Sequence, residues 1–285
     1  MAEILKGAGA AAALTGQLIR RAEALKEKGI VPTLAILRVG EREDDISYEN
    51  GAMKRCAKVG IEVKQYLLPA NCTKEQLLDT IREINEDSAI HGCLMFRPLP
   101  DKDMEAAACA LLAPEKDVDG MTEGSLAAVF TGKGAGFAPC TAQAVVELLD
   151  HYGIDPAGKR AVVVGRSLVI GRPVAMLLQQ RNATVTMCHT KTADLGAECR
   201  RGEILVVAAG KAGVVAKDHV SPGQIVIDVG IHVGEDGKLC GDVRFDEAES
   251  VVSAITPVPG GVGSVTTSVL CKHVIEAAEK TCGAA

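Results

Sequence analysis

A chain of 285 residues that is 47% apolar can bury the core of one or two domains. A net charge of −6 with no Lys/Arg run argues against nucleic acid or an anionic membrane surface as the main partner, and no apolar run approaches the ~18 residues of a membrane span. The Ala-rich start has no basic leader, which predicts a cytoplasmic protein; ten cysteines without a C-x-x-C pair and six histidines without an H-x-x-x-H pair predict reduced thiols and no protein-built metal site.

In chain order, GQLIRRAEALKEKG has the apolar spacing of a helix, and VPTLAILRVG reads as a strand closed by Gly40. A helix over about 45 to 59 follows, then the strand IEVKQYLL, a helix opened by the capping signal NCTKEQLL and the strand IHGCLMF. This β-α-β-α-β series predicts a parallel sheet. On the helix carrying SYENGAMKRC, Tyr48 and Ala52 share a face, while Lys54 lies about 240° round from the tyrosine. Phe96 ends the last strand and reads locally as core. The pattern breaks at RPLPDKD and at APEKDVDG, where Asp117 and Asp119 follow Pro114; an ordinary Asp-Gly turn and a functional carboxylate both fit Asp119.

After TGKGAGFAPCT and the helix AQAVVELLDHYG, a second alternation begins at KRAVVVG and continues through ATVTMC, EILVVAAG and QIVIDVG, placing a domain boundary near residue 140. In AVVVGRSLVIGRPVAMLL a buried strand enters Gly165, a tight turn carries Arg166 and Ser167, and Gly171 with Pro173 opens a helix, so backbone N–H groups can face a phosphate. The match departs from G-x-G-x-x-G, and a plain strand-to-helix turn also fits. About 20 residues on, where a free ribose diol would want Asp or Glu, the chain has CHTKT. Thr190, Lys191 and Arg166 suit a 2′-phosphate, so NADP is favoured over NAD. The uncharged ITPVPGGVGS combines stiffening prolines with glycines that let backbone approach a flat ligand, or forms a tight surface turn. The final helix, VTTSVLCKHVIEAAEK, is expected to pack back on the first domain.

Together, VPTLAILRVG, Tyr48 with KVGI behind it, GCLMFRPLP, PEKDVDG, APCT, VVVGRSLVIGRP, ATVTMCHTKT, VIDVGI, GDVRFDEA and ITPVPGGVG resemble, in order over nearly the whole chain, the methylenetetrahydrofolate dehydrogenase/methenyltetrahydrofolate cyclohydrolase family. The resemblance implies an α/β fold: an amino-terminal folate-binding domain (1–139, with helix 267–285 packed on it), a Rossmann-type dinucleotide-binding domain (140–266), a cleft between them, and a homodimer. It assigns the cofactor turn to Gly165, Arg166, Ser167 and Gly171, with Thr190 in place of the family serine and Ile231 as a cofactor contact. It assigns folate contacts to Tyr48 (stacking), Asp119 (pterin anchor), Ala52, Phe96 and Pro98, and the folate-lining loop to Pro259, Gly260, Gly261, Val262 and Gly263.

Ala52 stands where the family keeps the lysine of Y-x-x-x-K, and Phe96 where it keeps the glutamine of G-x-x-x-Q-x-P-L-P, with Arg97 replacing an apolar residue. PCTPxG has become PCTAQA, and Ser264 stands where proline is usual. Hydride transfer from the methylene carbon needs proximity and orientation and no general base. Hydrolysis of the methenyl group needs an activated water and proton movement, which the family attributes to that lysine and glutamine. The expectation is a dehydrogenase with very weak or absent cyclohydrolase. The alternatives are a bifunctional enzyme in which Lys54 reaches the site through a helix irregularity at Gly51, and a silent folate- or nucleotide-binding regulator.

Overall fold

The computed structural model describes residues 2–234 and 237–282. A short strand β1 (Glu3–Ile4) and a long helix α1 (Gly7–Glu27) precede the alternation β2 (Thr33–Val39), α2 (Glu43–Val59), β3 (Glu62–Leu68), α3 (Lys74–Glu86), β4 (Gly92–Met95), α4 (Lys102–Leu111) and α5 (Glu123–Thr131). After α6 (Cys140–His151) come β5 (Arg160–Val164), α7 (Gly171–Gln180), β6 (Thr184–Cys188), α8 (Leu195–Arg201), β7 (Ile204–Val207) and β8 (Ile225–Asp228). A small hairpin, β9 (His232–Val233) and β10 (Leu239–Cys240), is followed by α9 (Phe245–Glu249), β11 (Ala254–Ile255) and α10 (Thr266–Cys282).

Two compact units result, one of Leu14–Cys140 with the chain from Thr267 on, the other of the chain up to Ala13 with Thr141–Thr266. The first holds a parallel sheet in the order β3-β2-β4. All seven residues of β2 are buried, as in a central strand covered on both faces. Leu37, Ile81, Ile84, Met95 and Ala108 belong to the core on one side. Helix α3 opens on the expected capping box, Thr73 with Gln76. Helix α10 joins this unit through the Arg21–Glu279 ion pair at 2.6 Å and through Cys56 Sγ, 3.8 Å from Cys271 Sγ. Residues 283–285 of the expected last helix lie outside the described residues.

The second unit is a six-stranded parallel sheet in the order β1-β11-β8-β7-β5-β6. From β5 the chain steps to β6 on one side and then to β7 on the other, so the strand order reverses at β5, where doubly wound sheets bind dinucleotides. One expectation is corrected here: the first residues do not belong with the folate domain. Glu3 and Ile4 pair with Ala254 and Ile255 at the sheet edge, and Gly7 N–H donates to Gly260 O at 2.8 Å. A two-residue strand carries no readable period, so local sequence cannot reveal that pairing.

Candidate active site

Helix α2 starts on three acidic residues, Glu43, Asp44 and Asp45, which suit the positive helix end, and stops at Gly60 with φ +90°. It is an unbroken α-helix whose buried residues are Asp45, Glu49, Ala52, Cys56 and Val59. Lys54 is exposed on another face. Tyr48 is 36% exposed, and Ala52, one turn further, is fully buried. The rings of Tyr48 and Phe96 meet edge to face, centroids 5.9 Å apart at 81°. Phe96 is thus core by burial (9% exposed) and also a neighbour of the stacking candidate. Pro98, after a cis Arg97–Pro98 bond, is exposed.

Helix α2 also carries a buried ion pair that local sequence did not suggest. Arg38, within the buried strand β2, donates from Nε to Glu49 Oε2 at 2.7 Å and from Nη1 to Gly40 O; Gln65 on β3 donates to Glu49 Oε1. Both charged side chains are under a tenth exposed. Burying charges costs free energy that these charge-assisted hydrogen bonds offset, and the bonds tie α2 to the sheet. An arginine inside TLAILRV and a glutamate on the buried stripe of α2 were the available signals.

In the EKDVDGMT loop the two aspartates divide their work. Asp117 is fully buried and accepts from Met121 N (3.0 Å) and Thr122 N (2.7 Å), so it braces the turn. Gly120 sits at φ +69°, and a Cβ there would run into the backbone at Ala138 and Pro139. Asp119 is half-buried, with its carboxyl enclosed by protein. Burial, then the charge of Asp117, pushes its pKa up to about 6, against the pull of a bond from Cys140 and of Arg97. His273 of α10 and Cys140 both reach the intervening Val118 carbonyl, with Nδ1 at 2.8 Å and Sγ at 3.3 Å. Burial pushes the His273 pKa down to about 4, so the ring is neutral and its Nδ1–H donates to that carbonyl.

In the other unit, Gly165 follows β5 at φ +131°, and a Cβ would collide with Ala208 O. A Cβ on Gly171 would collide with Gly165 O, so both glycines are needed for the turn to close on α7. Ser167 Oγ accepts from Ile170 N (3.1 Å) and Gly171 N (3.4 Å) at the amino end of α7, and Arg166 is exposed beside it. The expectation that free N–H groups at the start of α7 face a phosphate is corrected in part: Ile170 N and Gly171 N are held by Ser167 Oγ and Arg172 N by Ser167 O, which leaves the positive helix end and the exposed Arg166 as the features that suit an anion. Gly165 N–H donates to Cys188 O, bringing the end of β6 alongside. There His189 N donates to Thr192 Oγ1 (2.9 Å) and Lys191 N to His189 Nδ1 (3.1 Å), a local turn with Thr190 and Lys191 exposed.

Ile231, 66% exposed, lines one cavity of about 350 Å³ together with Pro259, Gly260, Gly261, Val262 and Gly263. The Val258–Pro259 bond is cis, Gly260 has φ +100°, and Gly261 has no room for a Cβ beside Pro257 O. Val262 is buried and anchors the loop. Within this unit the structure therefore gathers the expected cofactor isoleucine and the Gly-rich loop. Within the other it gathers Tyr48, Ala52 and Phe96, with Asp119 in the electrostatic reach of Arg97.

A doubly wound sheet with a glycine turn at its reversal point, joined in one chain to a second α/β unit with an enclosed carboxylate and an exposed tyrosine, defines a dinucleotide-dependent enzyme with a separate substrate unit. Residues 139–282 match the model of the tetrahydrofolate dehydrogenase/cyclohydrolase NAD(P)-binding domain and residues 5–119 that of the catalytic domain. The chain belongs to the tetrahydrofolate dehydrogenase/cyclohydrolase family. It is 51% identical over 281 residues, 98% of each chain, to the bifunctional protein FolD of Carboxydothermus hydrogenoformans. Among solved structures, the bifunctional FolD dehydrogenase/cyclohydrolase of Campylobacter jejuni superposes with a TM-score of 0.93 at 38% identity, covering 99% of this chain and 100% of that one. The Trypanosoma brucei dehydrogenase-cyclohydrolase, complexed with NADP and an inhibitor, gives 0.90 at 36%, covering 99% and 98%.

Proposed function

We infer that this chain oxidises 5,10-methylenetetrahydrofolate to the methenyl form with NADP in preference to NAD, and that its hydrolysis of the methenyl product is very weak or absent. Dehydrogenase activity follows from family membership; the loss of hydrolysis rests on Ala52. At that position, one turn after Tyr48 on the buried stripe of α2, a fully buried methyl group stands and no group can move a proton. Phe96, in edge contact with Tyr48, offers an apolar ring where the family keeps its glutamine. Lys54 supplies no substitute from an exposed face of an unbroken helix.

When bound, NADP supplies the hydride acceptor. Tyr48 stacks on the folate, and Asp119 accepts hydrogen bonds from the pterin. Neither Ala52 nor Phe96 supplies an acid or base to activate a water. Thr190, Lys191 and Arg166, exposed with no carboxylate at the end of β6, favour a 2′-phosphate. Exposed Val233 and Leu239 on the β9–β10 hairpin support the homodimer reading, which sedimentation of the purified chain tests.

The curated relatives carry the word bifunctional, and that supports a second reading in which both activities remain. One assay separates the two: methylenetetrahydrofolate is supplied with NADP or NAD, and reduced cofactor and methenyl are followed together. Equal formation of both, with methenyl decaying only at its spontaneous rate and the rate higher with NADP, is the expected result. Decay faster than the spontaneous rate would overturn the single-activity reading.

A further inference from the structure

Two buried aspartates brace the turns that follow β7 and β8. Asp242, fully buried, accepts from the backbone N–H groups of Ala209 (2.6 Å), Gly210 (3.0 Å) and Lys211 (2.9 Å), the turn that follows β7. Its Oδ1 also lies 2.7 Å from His232 Nε2. Asp228, the last residue of β8, accepts from Gly230 N (2.9 Å), Asp242 N (3.0 Å) and Val243 N (2.9 Å). The two carboxylates thus bind together the turn after β7, the turn after β8 and the segment returning from the β9–β10 hairpin. These turns stand on the edge of the sheet where a dinucleotide is bound.

Ile231 lies between the two anchors: Gly230 before it is held by Asp228, and His232 after it by Asp242. Its own side chain is mostly exposed and gains little from packing. Among the described residues the hairpin that begins with His232 pairs through two residues per strand and one further backbone bond, Gly234 N to Lys238 O (2.7 Å), a short ladder that constrains the turn weakly. The side-chain bond from His232 is then the main fixture on the carboxyl side of Ile231, and it ends on an acceptor that is itself immobilised by three backbone donors.

We propose that His232 is a positioning residue for the nicotinamide cofactor, fastening the Gly230–Ile231 turn to Asp242 so that Ile231 is held in place before the cofactor arrives. The proposal rests on the reading of Ile231 as a cofactor contact. A preorganised turn spares the binding step the cost of ordering it, so loss of the fixture is read as lower cofactor affinity. The folate contacts read at Tyr48 and Asp119 lie in the other unit, and His232 bonds to Asp242 rather than to the Pro259–Gly263 loop, so folate affinity is expected to stay unchanged.

The test uses the full chain and NADP. His232→Ala is expected to raise the Kd for NADP about tenfold, with the KM for methylenetetrahydrofolate unchanged. His232→Gln, whose amide nitrogen can take the place of Nε2 and donate to Asp242, is expected to restore affinity to within about threefold of wild type. Ile231→Ala run alongside is expected to weaken NADP binding as well. If Ile231→Ala weakens binding and His232→Ala does not, the positioning role is overturned alone. If Gln binds as poorly as Ala, the bond to Asp242 is not the cause and the proposal falls. An Ile231→Ala chain with wild-type affinity would overturn the contact at Ile231 and the proposal with it.

Discussion

Replacing Ala52 by Lys together with Phe96 by Gln should restore methenyl hydrolysis, because the pair returns a proton-transfer group and an amide to support it. General acid–base help is worth about 10²–10⁴-fold, and an imported pair without its evolved surroundings should reach the lower end, about tenfold to a hundredfold above the spontaneous rate. The cost follows from burial. Phe96 is 9% exposed, so losing its ring sacrifices up to about 3 kcal/mol of core packing, including about 1 kcal/mol from the edge contact with Tyr48. Ala52 has no exposed surface, so lysine there overpacks the site by about 1–3 kcal/mol unless room is made. Both positions adjoin Tyr48, by ring contact or by one helical turn, so their effects should not add, and the double variant should be more stable than the sum of the singles predicts.

The same ammonium should slow hydride removal. For a separation of about 5 Å and an effective dielectric of ~20, repulsion from the developing methenyl cation costs up to about 3 kcal/mol, which caps the slowing at about a hundredfold. The assay follows loss of methenyl and appearance of reduced NADP in one cuvette, with thermal unfolding and folate binding measured on the same preparations. A folded double variant that binds folate normally and still leaves methenyl to decay spontaneously would refute the assignment of both positions.

Three further outcomes are expected. Asp119→Asn should raise the KM for folate about 10- to 100-fold and leave the KM for NADP alone, and in the wild type folate affinity should fall as pH drops through about 6, where Asp119 takes up its proton; an affinity flat from pH 8 to 5 would contradict the anchor role. Since the His273 pKa goes from 6.5 in the unfolded chain to about 4 in the folded one, its contribution to stability is complete above pH 6.5 and is lost as pH falls toward 4, amounting to about 3 kcal/mol; denaturant titrations of His273→Gln should show that pH slope flattened. Gly165→Ala should cost about 1–3 kcal/mol, since it forces a side chain to φ +131° against Ala208 O, and should abolish NADP binding before it unfolds the chain, as calorimetry on the same sample would reveal.

Much of the site was legible in the primary sequence because its signals are local. Tyr48 and Ala52 share a helix face by their spacing alone, and the strand–Gly165–helix turn declares itself by residue type. Other parts were hidden. Asp119 looked like half of an ordinary Asp-Gly turn, and its special titration comes from enclosure and from Asp117, which no spacing reports. His232 and His273 looked like isolated histidines until folding set one against Asp242 and the other against the Val118 carbonyl.

The sequence by itself determined the two α/β alternations, the strand–glycine–helix turn at Gly165, and the absence of a proton-moving side chain one turn after Tyr48, because periodicity, caps and glycine turns act over a few residues. Only the tertiary structure decided that β1 completes the dinucleotide sheet beside β11, that Arg38 and Glu49 are buried together as an ion pair, and that Asp228, Asp242 and His232 bind three turns into one edge. Those outcomes depend on which distant groups burial brings together, and on hydrogen bonds that gain their strength once water has been excluded around them.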